Sequence, residues 1–263
     1  MNPKPSERQR PMRWAVVSDI HGNLPALEAV IADAGAVYGW LNLGDIVSGP
    51  LWPLETARRL MALGWPTIAG NHERQLLTPP PERLGASDRF AFDALGEAER
   101  AWLAALPATM APHADVLAVH GSGRNDLEYL LHSVRADGLH EADEAEIAAR
   151  LPAAAPAWLL CGHSHLPRQR RVGTTTVLNP GSVGLPAFDH DQPAPHVAET
   201  GTPQARYAWL ELGPGGWQAT LRAVDYDHES AARRAEAQGR GDWADALRSG
   251  RVGRREADLG ARR

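Results

Sequence analysis

Trp14-Ala15-Val16-Val17-Ser18-Asp19-Ile20-His21-Gly22-Asn23 decides how the rest of the chain is read. Four apolar residues in a row suit a short strand buried on both faces. The run stops at Asp19 and His21, which are two apart and fall on the same side of an extended segment. Asn23 can cap a following helix and Pro25 suits its first turn. Leu27, Val30, Ile31 and Ala34 then form one apolar stripe, which Gly35 stops. A strand, a polar turn and an amphipathic helix in that order indicate an α/β fold. In such a fold the loops at the carboxyl ends of the strands form the binding crevice.

The pattern repeats downstream. Trp40–Leu43 leads into Gly44-Asp45, and a helix follows over 54–63. Pro66–Ala69 leads into Gly70-Asn71-His72-Glu73. Thr78-Pro79-Pro80-Pro81 reads as a rigid loop excluded from regular structure, and 87–106 as a helical accessory hairpin beside the core. Val116–Val119 leads into His120-Gly121, 125–150 is acidic and helical in pattern, and Trp158–Cys161 leads into Gly162-His163-Ser164-His165. Residues 174–178 are strand-like, 184–205 read as an irregular loop, and 206–224 as a hairpin turning at 213–216. A helix over 228–237 closes the domain. The organisation expected is a disordered leader over 1–12, one domain over 13–237, and a solvated Arg/Gly-rich tail over 238–263 that includes Arg251, Arg254, Arg255, Arg262 and Arg263.

The 263 residues suffice for one large domain with a substantial core. Lys and Arg total 27 against 32 Asp and Glu, a net charge of −5, which gives no general reason to expect nucleic-acid binding. Cys161 is the only cysteine, so no intrachain disulfide can form. No segment resembles a signal peptide or a membrane span, so a soluble, cytoplasmic protein is expected.

The chemistry-bearing residues share one topological position. Asp19, His21, Asp45, Asn71, His72, His120, His163 and His165 all lie at or just beyond the end of an apolar run, and they include five of the eleven histidines. Imidazole with carboxylate suits borderline divalent metals, and the glycines beside them permit close backbone approach. His132, His140, His190, His196 and His228 read instead as surface or loop histidines, and Cys161 as a small buried strand residue.

Asp19-x-His21, Gly44-Asp45, Gly70-Asn71-His72-Glu73, His120-Gly121 and Gly162-His163-x-His165 resemble, in order, the five blocks of the calcineurin-like metallophosphoesterase superfamily. Ser18–Asn23 is similar to the small bacterial phosphodiesterase-like branch. The resemblance implies an α/β fold built as a four-layer α-β-β-α sandwich of two mixed sheets with flanking helices. It implies that Asp19, His21 and His165 hold one metal, that Asp45 bridges, and that Asn71, His120 and His163 hold the second. The metals would be two divalent transition ions drawn from Mn, Fe, Ni, Co and Zn. His72 would be the catalytic group beside the substrate phosphate, with Asn71 and Arg124 as further candidate substrate contacts. Arg124 and Arg168, close behind the fourth and fifth blocks, are equally readable as solvent-exposed.

Two divalent cations, less the charges of Asp19, Asp45 and a bridging hydroxide, leave a local charge of about +1, which attracts phosphate despite the acidic chain. The hydroxide would be the nucleophile, with the cations clamping the phosphoryl oxygens. Protein phosphatases and symmetrical dinucleoside tetraphosphatases continue the second block as Gly-Asp-x-Val-Asp-Arg-Gly. Here it runs Gly44-Asp45-Ile46-Val47-Ser48-Gly49-Pro50. The missing arginine shifts the expectation to a phosphodiesterase acting on a phosphate ester, with nucleotide or nucleic acid entering only as substrate. A phosphomonoesterase or nucleotide phosphatase is the alternative, and a non-catalytic interaction module a third. A dimer is open, since 87–106 and 125–150 could cover the site or join two copies.

Overall fold

The computed structural model describes residues 12–255. The leader expected over 1–12 lies outside the described residues except for Met12, and so do Arg262 and Arg263. The elements run β1 (Met12–Val17), α1 (Leu24–Ala34), β2 (Gly39–Asn42), α2 (Pro53–Leu63), α3 (Asn71–Leu77), α4 (Ala86–Ala94), α5 (Glu97–Ala104), β3 (Met110–His113) and β4 (Val116–Ala118). They continue as β5 (His132–Arg135), β6 (Gly138–Glu141), α6 (Glu144–Arg150), β7 (Trp158–Leu160), β8 (Arg168–Val172), β9 (Thr175–Asn179), β10 (Ala187–His190) and β11 (His196–Glu199). The chain closes with β12 (Ala205–Gly213), β13 (Gly216–Val224), α7 (His228–Ala237) and α8 (Gly241–Ser249).

Two mixed sheets form the centre. One is four-stranded, ordered β13-β12-β1-β2, with β1 and β2 parallel and the β12 pairings antiparallel. The other is five-stranded, ordered β3-β4-β7-β9-β8, parallel through β4, β7 and β9 and antiparallel at both edges. The period of two along β1 divides the core. Ala15 and Val17 pack under α1 and α2 with Leu27, Val30 and Leu60, whereas Trp14 and Val16 meet Leu160 and Leu178 of the second sheet. The outer face of that second sheet, through Leu159 and Val177, packs on Leu131, just before β5, and on Ile147 of α6. These are the four layers expected, helices outside and sheets within.

Burial anchors the site. Val16 and Val17 are fully buried, and each such side chain contributes about 2 kcal/mol. Together the two contribute about 4 kcal/mol, more than the roughly 1–3 kcal/mol needed to hold one residue in a sparsely populated backbone conformation at the strand's end.

Several expectations are corrected. The 87–106 segment is two helices, α4 and α5, and Ala91, Leu95 and Leu103 belong to the main core rather than to an accessory hairpin. Most of 125–150 is not helical: the β5–β6 hairpin precedes the short α6, because Leu130 and Leu131 pack against the sheet and not along a helix face. The loop expected over 184–205 contains the β10–β11 hairpin. Pro81 opens a 3-10 turn, a first-turn position where its missing N–H costs nothing. Past Gly239 the chain forms α8, whose Trp243, Ala244 and Leu247 are buried against α7; the Arg/Gly composition masked its apolar stripe. Strands β3 and β8, both sheet edges, were not expected. Among the described residues no helix is long and apolar enough to cross a membrane.

Candidate metal centre

The five blocks are locked together through their backbones. Asp19 N donates to Gly44 O at 2.9 Å, His21 N to Asp45 O at 3.0 Å and Gly22 N to Ile46 O at 2.8 Å, tying the first block to the second. Gly162 N donates to His120 O at 2.7 Å, tying the fifth to the fourth, and His163 N reaches Asp19 Oδ2 at 3.2 Å. The second and third blocks cross at Gly44 and Gly70. A Cβ on Gly44 would lie 2.3 Å from Gly70 N, and one on Gly70 would lie 2.2 Å from Asp45 Oδ1, so only glycine fits at either position.

Asp19, His21, Asp45, His163 and His165 have φ of 53°, 51°, 54°, 65° and 59°. Among the described residues no other non-glycine residue has a positive φ. Left-handed backbone is disfavoured for side chains with a Cβ and concentrates at functional sites. Here the fold spends that strain on candidate ligands alone, which it gathers into two clusters. Asp19, His21 and His165 form one; Asp45, His120 and His163 form the other, the ligand atoms of each lying within 4.8 Å of one another.

Backbone carbonyls fix the imidazole tautomers. A carbonyl only accepts, so Nδ1 of His21, His120 and His165 must carry the hydrogen donated to Ser48 O, Leu43 O and Leu185 O, at 2.8, 2.7 and 2.7 Å. In the neutral rings Nε2 is then a bare lone pair, and Nε2 of His21 and His165 face each other at 3.1 Å. His163 is oriented the other way, with Nε2 donating to Leu127 O at 3.0 Å and Nδ1 facing inward. Asn71 Oδ1 lies 3.1 Å from His120 Nε2, 2.8 Å from His163 Nδ1 and 3.2 Å from Asp45 Oδ2. Turning that amide over would aim the two hydrogens of Nδ2 at these three atoms, which suits a site without a cation. The oxygen-inward orientation, with Nδ2 on Gln75 Oε1 at 3.0 Å, is the one a cation requires. In the first cluster Nε2 of His21 and His165 meet with no hydrogen between them, and in the second His120 Nε2, His163 Nδ1, Asn71 Oδ1 and Asp45 Oδ2 converge on one another; both sets fit divalent metal ions with N and O ligands.

Titration behaviour reflects the same crowding. Burial, reinforced by His165, pushes His21 down to about 4; burial and His120 push His163 down to about 3. Burial also opposes protonation of His120, but Asp45 and Asp19 outweigh it and raise the ring to about 10. Burial tends to raise the carboxyls of Asp19 and Asp45; the facing histidines, His165 and His120 foremost, hold both below the usual range.

His72 lies at the rim of the clusters and lines the cavity above them, its ring 5.4 Å from that of His21. Its Nδ1 is 2.8 Å from Asp88 Oδ1 on α4. Burial lowers its affinity for a proton, but Asp45 and Asp88 raise it to about 9. Arg124 does not line the cavity: its guanidinium is paired with Glu128. Arg168 is engaged by Leu131 O and Glu141.

Three supporting residues were missed in the sequence. Glu73, buried, accepts from the N–H groups of Gly70, Ile46 and Asp45 at 2.7, 2.8 and 2.9 Å, clamping the second block to the third. Glutamate three residues after a helix cap is a readable signal, here obscured because the cap is glycine. Asp88 carries no motif, and Trp243, whose ring stands 5.8 Å from that of His21, sits in a stretch read as tail. His132 and His196, read as surface or loop histidines, are buried.

Residues 12–201 match the calcineurin-like phosphoesterase superfamily domain. The chain belongs to that superfamily. Among solved structures it is similar to a metallophosphoesterase from Sphaerobacter thermophilus, with 26% identity, a TM-score of 0.72, and coverage of 90% of this chain and 98% of that one. A protein of Pyrococcus horikoshii OT3 shares the fold at 19% identity and a TM-score of 0.68, covering 92% of this chain and 99% of that one. No curated protein matches the chain. As a superfamily member, the chain is a phosphoesterase of a metal-dependent family, and the two clusters are its candidate metal-binding residues.

Proposed function

We propose that the chain is a dinuclear-metal phosphodiesterase. Asp19, His21 and His165 would hold one ion and Asn71, His120 and His163 the other, with Asp45 between them. The observation that carries the reading is the confinement of positive-φ strain to candidate ligands whose lone pairs converge. Divalent cations held there supply Lewis-acid polarisation of phosphoryl oxygens and activation of water.

The chain's own residues do the rest. Asp88 holds Nδ1 of His72, leaving Nε2 to donate a hydrogen bond or proton to a phosphoryl or leaving oxygen. The carbonyls of Ser48, Leu43 and Leu185 keep three ligand rings turned inward. A diester is favoured over a monoester because the arginines lining the cavity, Arg135 and Arg150, are already engaged by protein groups. Among the described residues, no guanidinium lining the cavity is left over to meet the second negative charge of a monoester. We propose further that the site belongs to one domain, since β1 and β12 pair from opposite ends of the chain. The single, buried Cys161 suits a cytoplasmic protein.

The test compares bis(p-nitrophenyl) phosphate with p-nitrophenyl phosphate, using protein loaded in turn with Mn, Fe, Co, Ni and Zn. A higher kcat/KM for the diester supports the reading. Preference for the monoester would make the enzyme a phosphomonoesterase, and no turnover with any ion would remove the catalytic assignment.

A further inference from the structure

The cavity above the clusters is far larger than a phosphoryl group needs. Its volume of about 750 Å³ falls in the range of sites that enclose whole organic ligands. One wall is His21, Asp45 and His163; the same cavity extends to the β5–β6 hairpin at His132 and Arg135. Flat apolar surface begins directly beside the ligands. The Tyr129 ring lies 4.7 Å from that of His163, and the Phe188 ring 4.6 Å from that of His165, and both line the cavity. Tyr129 is fixed in place: His196 donates from Nδ1 to Ala194 O, so its Nε2 accepts the Tyr129 hydroxyl at 3.0 Å.

The charges of this extension exclude a second phosphate. Apart from Asp45 at the clusters, Arg135 and Arg150 face three carboxylates, Glu128, Glu146 and Asp189. Arg150 is spent on the carbonyls of Tyr129 and His132 and on Ser133 Oγ, and Arg135 lies 3.7 Å from Glu146. Ser48 Oγ, beside His21, and His132, in the extension, are the cavity-lining groups with an unmatched buried atom among the described residues. His132 is 6% exposed, it lines the cavity, and its enclosed Nδ1 has no partner among the described residues. Burial, helped by Arg168 and Arg150, lowers it to about 4, so the ring is neutral. A neutral imidazole offers one donor and one acceptor; Nδ1 is closed off from the cavity, so the edge a ligand meets is Nε2, which makes no hydrogen bond among the described residues.

We propose that this extension is the subsite for the second ester group of the diester. The group it takes is a flat, uncharged heterocycle of the nucleobase kind, lying against Tyr129 and Phe188 and read by His132. The proposal rests on the phosphodiesterase reading for its phosphate end, so the test separates the two. Calorimetric titration of the manganese-loaded protein compares inorganic phosphate, ribose 5-phosphate and adenosine 5′-monophosphate. The nucleotide should bind at least about tenfold more tightly than ribose 5-phosphate, and ribose 5-phosphate little better than phosphate. In His132→Leu, and separately in Phe188→Ala, the nucleotide's advantage should shrink about fivefold or more. An advantage that is absent, or unchanged in both variants, overturns the subsite.

Turnover of thymidine 5′-(p-nitrophenyl) phosphate and methyl p-nitrophenyl phosphate, which share a leaving group, completes the test. The nucleoside diester should show the higher kcat/KM. No turnover of either, with the nucleotide preference intact, refutes the phosphodiesterase reading and not the heterocycle site. Equal turnover of both without that preference refutes the subsite alone.

Discussion

Glu73→Gln isolates the contribution of the clamp between the second and third blocks. The carboxylate receives three backbone N–H groups, Oε2 from Asp45 and Gly70 and Oε1 from Ile46. A glutamine of the same shape keeps at best the two bonds on Oε2 and turns its amide nitrogen toward the Ile46 N–H. One charge-assisted bond is lost, at about 1.5–3 kcal/mol, and two weaken as their acceptor becomes neutral. Removing a carboxylate that Asp45 repels offsets part of this, since burial and Asp45 both raise Glu73's pKa. The net loss is about 3 kcal/mol, which for a protein of this size lowers Tm by about 6–12 °C. Differential scanning calorimetry of the metal-free protein reads the effect without involving bound ions. Metal analysis should show the greater loss at the ion held by Asn71, the residue beside the clamp. A Tm within 1 °C of wild type would refute the clamp.

Four further outcomes follow from the geometry. Asp45→Asn removes the carboxylate of the second cluster, proposed to lie between the two ions, and should drop bound metal from about two ions per chain to one or fewer, read by mass spectrometry. His72→Ala should cut kcat by about 10²-fold or more with metal content retained; wild-type turnover would remove His72 from its role. Asp88→Asn should lower kcat by about tenfold at unchanged metal content, since a neutral amide holds the His72 ring less firmly and no longer favours its protonated form. Trp243→Ala empties a site packed against Gly49 and His21 and should cost about 3–5 kcal/mol, seen as a lowered Tm.

The candidate ligand residues were readable because the physics placing them is local. Each strand must be apolar to be buried, so the polar residues at Asp19, Asp45, His120 and His163 stand out where the apolar runs end. The helices α1, α2 and α7 were readable for the same reason, their stripes being uninterrupted. What could not be read depends on contacts distant in sequence. Asp88 reaches His72 only because α4 packs beside α3, and His132 is buried only because its hairpin closes on α6 and the second sheet. The residues 125–131 offer leucines at helical spacing, but Leu130 and Leu131 pack against the sheet while Leu127 stays exposed. Trp243 lies among arginines and glycines that resemble a solvated tail, yet its ring closes one side of the cavity. Glu73 was visible in its block, and its three backbone partners were not, because two of them come from the strand-end loop at Asp45.

The most direct test is a metal titration of the stripped protein, following bis(p-nitrophenyl) phosphate hydrolysis against ions bound per chain. The two-cluster account predicts that turnover climbs until about two ions are bound and then levels. Full activity at one ion, or no hydrolysis with both clusters filled, would contradict it.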